Sequence, residues 1–289
     1  MLLAAGAAAS PWEFHPHPDV WLLNAGLLIA YLAALRFWGP ERAPAGRPPV
    51  ETWRKACFIT GVVVLWLSAD WPLHDISENH LFSAHMLQHL LYMFVVPPLL
   101  LLGLPAWLLR SLVGSGRRLR ALRWITRPVP ALLISNAVIV FIHWPAIVDL
   151  QVTSEAGHLA IHALLLSGML LMWWPVIPPL PETASLSQPA KMLYLFLQSF
   201  IPTIPASFLT FAAEPLYRIY EGKDLLWGLD AVTDQRISGL LMKIGGGLIL
   251  WAVIAFLFFR WSAQENKAEG QEITWDDFER ELQAWDMRK

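Results

Sequence analysis

Charge and cysteine are what this chain has least of. Only 15% of its 289 residues are charged and the formal balance is −2, so no concentrated basic face exists to bind phosphate backbones, and no nucleic-acid partner is expected. The single cysteine, Cys57, leaves no intrachain disulfide and no Cys-based zinc knuckle. His-Glu-x-x-His is absent, so a zinc protease of that design is unsupported. The opening MLLAAGAAAS has no basic residue and is too short for a signal peptide, so it reads as a disordered end. No repeat of fixed period is present. What the chain has instead is apolar length, with 56% hydrophobic residues and a mean hydropathy of +0.45, which marks an integral membrane protein.

Seven runs are long enough for a hydrocarbon core of ~30 Å: Val20–Trp38, Trp53–Ala69, Leu81–Leu109, Val129–Val148, Ala156–Ile177, Lys191–Ala212 and Ile237–Trp261. Each must be a helix, because in lipid a helix satisfies its own backbone. The fold class expected is therefore all-α, a polytopic bundle of seven transmembrane helices. Pro97 and Pro98 predict a kink or break midway along the third. Arg36, Arg42, Arg47, Arg54 and Lys55 fill one connection, and Arg110, Arg117, Arg118, Arg120, Arg123 and Arg127 another; segments 1–19, 70–80 and 149–157 hold no Lys or Arg. The positive-inside rule then places the N-terminus outside and the C-terminus inside a bacterial plasma membrane. Loop 213–236, with Arg218, Lys223 and Arg236, is a partial exception.

Three regions follow: an outer N-terminal segment (1–19), a seven-helix membrane domain (20–261) and a cytoplasmic tail (262–289). Within the tail, Thr274 and Asp277 form a capping-box start for a short amphipathic helix carrying Trp275, Phe278, Leu282 and Trp285, expected to rest on the inner membrane surface.

All nine histidines fall on the side this pattern makes external, and His80, His85, His89, His143, His158 and His162 crowd the same ends of three runs. Histidine is costly in lipid and is a common metal ligand, so their convergence points to a transition-metal site. His85 and His89 share one helical face, and His158 and His162 repeat the spacing. At ~1.5 Å of rise per residue, His85 and His89 lie about 9 and 15 Å below a helix start near Asn79, depths that overlap those of His143 and His162. Two such pairs on facing helices can supply a nearly closed coordination shell. The competing expectation is that neutral histidines hydrogen-bond between helices. Met86 and Met93, close to the same face, are soft ligands that would favour copper, while zinc and haem stay open. His15, His17 and His74 read as interfacial residues, and acidic Asp70, Asp75, Glu78, Asp149 and Glu155 as loop charges or partners that orient imidazoles. Lys243 should pair with Asp234 or Glu214 or reach outward, and Gly245–Gly247 should permit close packing.

The run HMLQHLLYMFVVPPLLLLGLP from His85 to Pro105 resembles the signature of the CtaG-type cytochrome c oxidase assembly proteins, a multi-span bacterial family found with haem-copper oxidases. His143-Trp144-Pro145, the His158 to His162 pair followed by Trp173-Trp174-Pro175, and Leu209–Pro215 with Asp234, Gln235 and Gly239 agree with it in order. The resemblance implies a role in assembling cytochrome c oxidase, with oxidase subunits as partners, copper delivery as its task and no reaction of its own. The positions it carries over are His85, His89, His143, His158 and His162 as metal residues, with Asp234 and Gln235 as auxiliaries beside His80, Met86 and Met93. At Lys243 the sequence departs from the usual apolar or aromatic residue. Two other functions stay open on the residues: a b-type haem electron carrier, since histidines on neighbouring helices can ligate haem, and a scaffold that holds oxidase subunits without metal transfer. A transporter is disfavoured because the inner helix halves carry almost no ionisable residues.

Overall fold

The computed structural model describes residues 12–223, 225–269 and 275–286, and among them every regular element is helical. Helix α1 (Pro18–Arg42) is followed by α2 (Thr52–Ala69), then by the short α3 (Leu73–Asn79), bent from α2 by 40°. Helix α4 (Phe82–Gly103) is followed by α5 (Ala106–Val113), α6 (Arg117–Ile125) and α7 (Pro128–Ile142), with a 75° bend between α6 and α7. Next come α8 (Pro145–Thr153), α9 (Glu155–Trp173), α10 (Gln188–Gln198) and α11 (Thr203–Phe211). Helix α12 consists of Ala231–Leu240 and Gly246–Glu269 joined through a π turn, and α13 spans Trp275–Asp286. Among the described residues, five helical segments are long and apolar enough to cross a membrane, up to seven if each bent pair is one span. The chain is a multi-pass membrane protein.

Several boundaries differ from the sequence expectation; the sixth run is interrupted between Gln198 and Thr203, and the seventh extends from Ala231 to Glu269. The fourth run stops at Ile142 instead of Val148, because Pro145 disfavours helix at Trp144 (ψ 131°) and opens α8 as a separate element. The third run ends at Gly103, where Leu104 and Pro105 are extended before α5 begins. The fifth closes at Trp173 ahead of Pro175. A helix does form in the tail; the MLLAAGAAAS and Thr274 expectations lie outside the described residues.

The proline break in α4 takes a specific form. A π turn over Leu91–Val95 precedes Pro97, so the span continues to Gly103 without interruption. Pro97 has no N–H to donate one turn back, and the Met93 carbonyl instead accepts the Trp173 indole N–H at 2.8 Å. The far end of α4 is closed from other helices: Arg54 donates to the Leu102 and Leu104 carbonyls at 2.9 and 3.2 Å, and the Tyr31 hydroxyl to that of Gly103 at 2.9 Å. These contacts satisfy carbonyls that every helix end leaves orphaned. Arg110 pairs with Glu182 at the same end.

Helix α4 sits at the centre, packed on α2, α3, α9 and α12. A Cβ on Gly245 or Gly246 would lie 3.2 Å from Leu90 or 3.1 Å from Phe94, so these glycines let α12 approach α4 closely, as their run implied. Lys243 is exposed on the outside of α12 with its ammonium 5.8 Å from the Phe211 ring. Of the expected outcomes this is the outward reach, since Asp234 is engaged elsewhere.

Candidate metal centre

The start of α4 has no cap of its own. Leu81 supplies no side-chain acceptor; instead the buried Asp234 carboxylate, from α12, accepts the Phe82 and Ser83 backbone N–H groups at 2.6 and 3.1 Å. An anion on the first amides of a helix satisfies orphan donors and matches the helix dipole. Neighbouring Gln235 accepts from the Leu216 N–H at 2.6 Å and donates to the Leu209 carbonyl at 3.2 Å. Both auxiliaries from the sequence therefore position helices and loops. Replacing Asp234 by Asn should remove one of two charge-assisted bonds worth about 1.5–3 kcal/mol each, and so lower the melting midpoint in detergent by about 2–4 °C per kcal/mol lost. Tryptophan-fluorescence melting measures this; an unchanged midpoint refutes the capping role.

Helix α4 so anchored presents His85 and His89 to α9. The ring centroids of His85 and His89 are 4.3 Å apart, and that of His162 lies 5.8 Å from His85 and 5.3 Å from His89. All three side chains can offer a nitrogen such that the donors lie within 4.8 Å of one another. A second group at the same end joins His74 and Glu78 of α3 to His158 of α9 within the same limit. His158 and His162 link the two groups, with ring centroids 4.1 Å apart.

The bonding of these rings is informative. His143, at the end of α7, places Nδ1 2.7 Å from the Ile139 carbonyl, an acceptor, so Nδ1 carries the proton and Nε2 keeps its lone pair. The Tyr217 hydroxyl holds the His143 carbonyl at 2.8 Å. Gln151 of α8, fully buried, aims its amide nitrogen at His85 Nε2 and His89 Nε2, at 3.2 and 3.5 Å. An amide N–H directed at two imidazole lone pairs fills the role a cation fills in a coordination shell. His89 Nδ1, His143 Nε2, His158 Nε2 and His162 Nε2 have no hydrogen-bond partner although each is buried. Each such orphan costs about 1–3 kcal/mol, and no hydrogen bond joins His85, His89, His158 and His162 to one another among the described residues. Interhelical hydrogen bonding, from Gln151 to His85 and His89, therefore accounts for only part of the set. The donor set fits a transition-metal ion.

The remaining sequence candidates are elsewhere. His143 approaches His89 only to a ring distance of 6.2 Å. His80 is buried at the end of α3 and joins neither group, and Met86 and Met93 belong to the apolar core. His74, read from sequence as interfacial, stands instead within the second group, because the bend after α2 turns α3 inward over α4. Glu78 joins it there, and His17 pairs with Asp75 at 3.2 Å. Gln151 was missed entirely. Nothing in its spacing marks it, since it reaches the histidines from a helix whose placement is purely tertiary.

A cavity of about 380 Å³ leads past His17, Asp19 and Glu155 to His74, Glu78 and His158, and reaches Tyr92 and His162. On the loop after α11, Lys223 donates to the Glu78 backbone carbonyl and lies 4.4 Å from the Tyr220 ring. Burial pushes its ammonium below the usual lysine range, against the upward pull of the Glu78 carboxylate.

Curated relatives include the uncharacterized proteins Mb0105 of Mycobacterium bovis and MT0111 of Mycobacterium tuberculosis, each 26% identical over 279 residues, 90% of this chain and 41% of theirs. The uncharacterized protein ML1998 of Mycobacterium leprae is 25% identical over 243 residues, 77% of this chain and 36% of its own. The chain thus spans about two fifths of the length of the curated relatives it matches. No solved structure matches. The profile of the cytochrome c oxidase caa3 assembly factors matches residues 29–264, which takes in the central helix, both histidine groups and the Asp234 cap, and the chain belongs to that family.

Proposed function

We propose that the protein holds copper at His85, His89 and His162 on the outer side of a bacterial plasma membrane and delivers it to a cytochrome c oxidase subunit. The observation that carries this reading is the convergence of three imidazoles on one point, with His89 Nδ1 and His162 Nε2 buried without a partner. His158 stands next to that point, its ring 4.1 Å from that of His162, and His143 flanks it at 6.2 Å from the His89 ring. The absence of a nucleophile with an adjacent base in this set favours transfer of a cargo ion over catalysis. A haem carrier is less well supported, because an axial pair needs a flat macrocycle between its imidazoles. Here donors within 4.8 Å of one another and the Gln151 amide fill that space.

Metal analysis and an absorption spectrum of the purified protein test the reading. Copper at one or more equivalents without intense haem bands is expected; a Soret band would transfer the histidines to an electron carrier. The sidedness rests on the arginine-rich connections and has its own test. A reporter active only outside the membrane should work when fused near His74 or Asp149 and be silent near Gly46 or Gly116, and the reverse pattern would turn the site inward.

A further inference from the structure

We propose that His74, Glu78 and His158 form a second metal site, which receives a divalent copper ion through the cleft and passes it by ligand exchange to His162, His85 and His89. The inference rests on the copper-holding role of the deeper group and adds a receiving station to it.

Two imidazoles and one carboxylate within 4.8 Å are a hard-to-borderline donor set suited to a divalent transition-metal ion. Glu78 Oε1 lies 2.8 Å from His158 Nδ1 and 3.6 Å from His74 Nε2. The shorter contact is close enough for an ion pair, and His158 Nε2 has no partner although the residue is only 8% exposed. A divalent cation shared by the carboxylate and both imidazoles would use these donors together. Lys223, the nearby cation, is spent on the Glu78 backbone carbonyl and forms no ion pair with its carboxylate among the described residues. Asp19 and Glu155 line the cleft leading to the group and raise the local concentration of cations.

The connection inward is equally specific. His158 and His162 are one turn apart on α9, their rings 4.1 Å apart, and His162 Nε2 is buried without a partner. In the transfer, bonds from the ion to Glu78 and His74 break while a bond to His162 forms, and His158 lets go as His85 and His89 close the new shell. Glu78 is left as a carboxylate, the imidazoles stay neutral, and no electron moves. Sites separated by about one helical turn, roughly 6 Å of rise, make two divalent ions repel one another, so an ion arriving at the outer group favours departure from the inner one.

The test uses the full chain in detergent, loaded from buffered Cu(II) and assayed by elemental analysis and electron paramagnetic resonance. The double variant His85→Ala/His89→Ala should retain one copper with nitrogen hyperfine structure, and adding Glu78→Gln should reduce it to none. His74→Gln in the same background should weaken binding at least tenfold and supplies a second route if the Glu78 variant folds poorly. In the otherwise native chain, Glu78→Gln should slow copper uptake at least tenfold while final loading of the inner group persists. Loss of all copper in the His85/His89 double variant, with the wild type loaded, would overturn the outer site and leave the inner reading standing. No copper in the wild type would overturn both.

Discussion

His85→Ala and His89→Ala are each expected to leave the chain inserted and folded while oxidase activity in the host membrane falls to that of a strain lacking the protein. Both residues are buried, 3% exposed, and face a third imidazole from α9. Loss of a group that merely orients a metal ligand typically costs 10–100-fold in affinity, so removing one of three ligands should cost more than about 100-fold. Folding should suffer less, because the native rings contribute few hydrogen bonds and His89 Nδ1 is an orphan. His15→Ala is the matched control: its side chain is 45% exposed and only 3.9 Å from Asp75 at its closest, and exposed substitutions usually shift stability by less than about 0.5 kcal/mol. Oxidase activity in isolated membranes, compared with the amount of inserted chain, separates loss of function from loss of protein. Normal oxidase assembly in both variants would reject the ligand assignment.

Raised copper in the medium is expected to restore part of the oxidase activity of a deletion strain, and of the His85 and His89 variants alike. If the protein supplies copper, its absence limits oxidase maturation through the local concentration of metal, which mass action can replace. If it holds oxidase subunits together through its helices, added metal cannot substitute for missing contact surface. The acidic cleft sharpens the distinction, since Asp19 and Glu155 should matter at low copper and in low salt and cease to matter when either is raised. Failure to recover at any tolerated copper concentration, with histidine variants behaving as wild type, would assign a scaffold role.

The bundle was legible in the sequence because each span is a long apolar run, and a run in lipid has no alternative to helix. Less legible were the ends. Pro145 divided the fourth run from α8, and Pro97 altered α4 by a π turn instead of a break, since the freed Met93 carbonyl found the Trp173 indole 80 positions away. No local rule anticipates a partner at that distance.

The candidate site divides along the same line. The i, i+4 pairs His85/His89 and His158/His162 were fixed by the sequence alone, because helical periodicity puts each pair on one face whatever surrounds it. Which pairs meet, and in what grouping, was decided by tertiary structure. The bend after α2 laid α3 over α4 and so brought His74 and Glu78 to His158, the Asp234 cap set where α4 begins, and α8 delivered Gln151. Those contacts link residues on different helices, so their energies depend on how helices pack and not on the spacing of residues along any one of them.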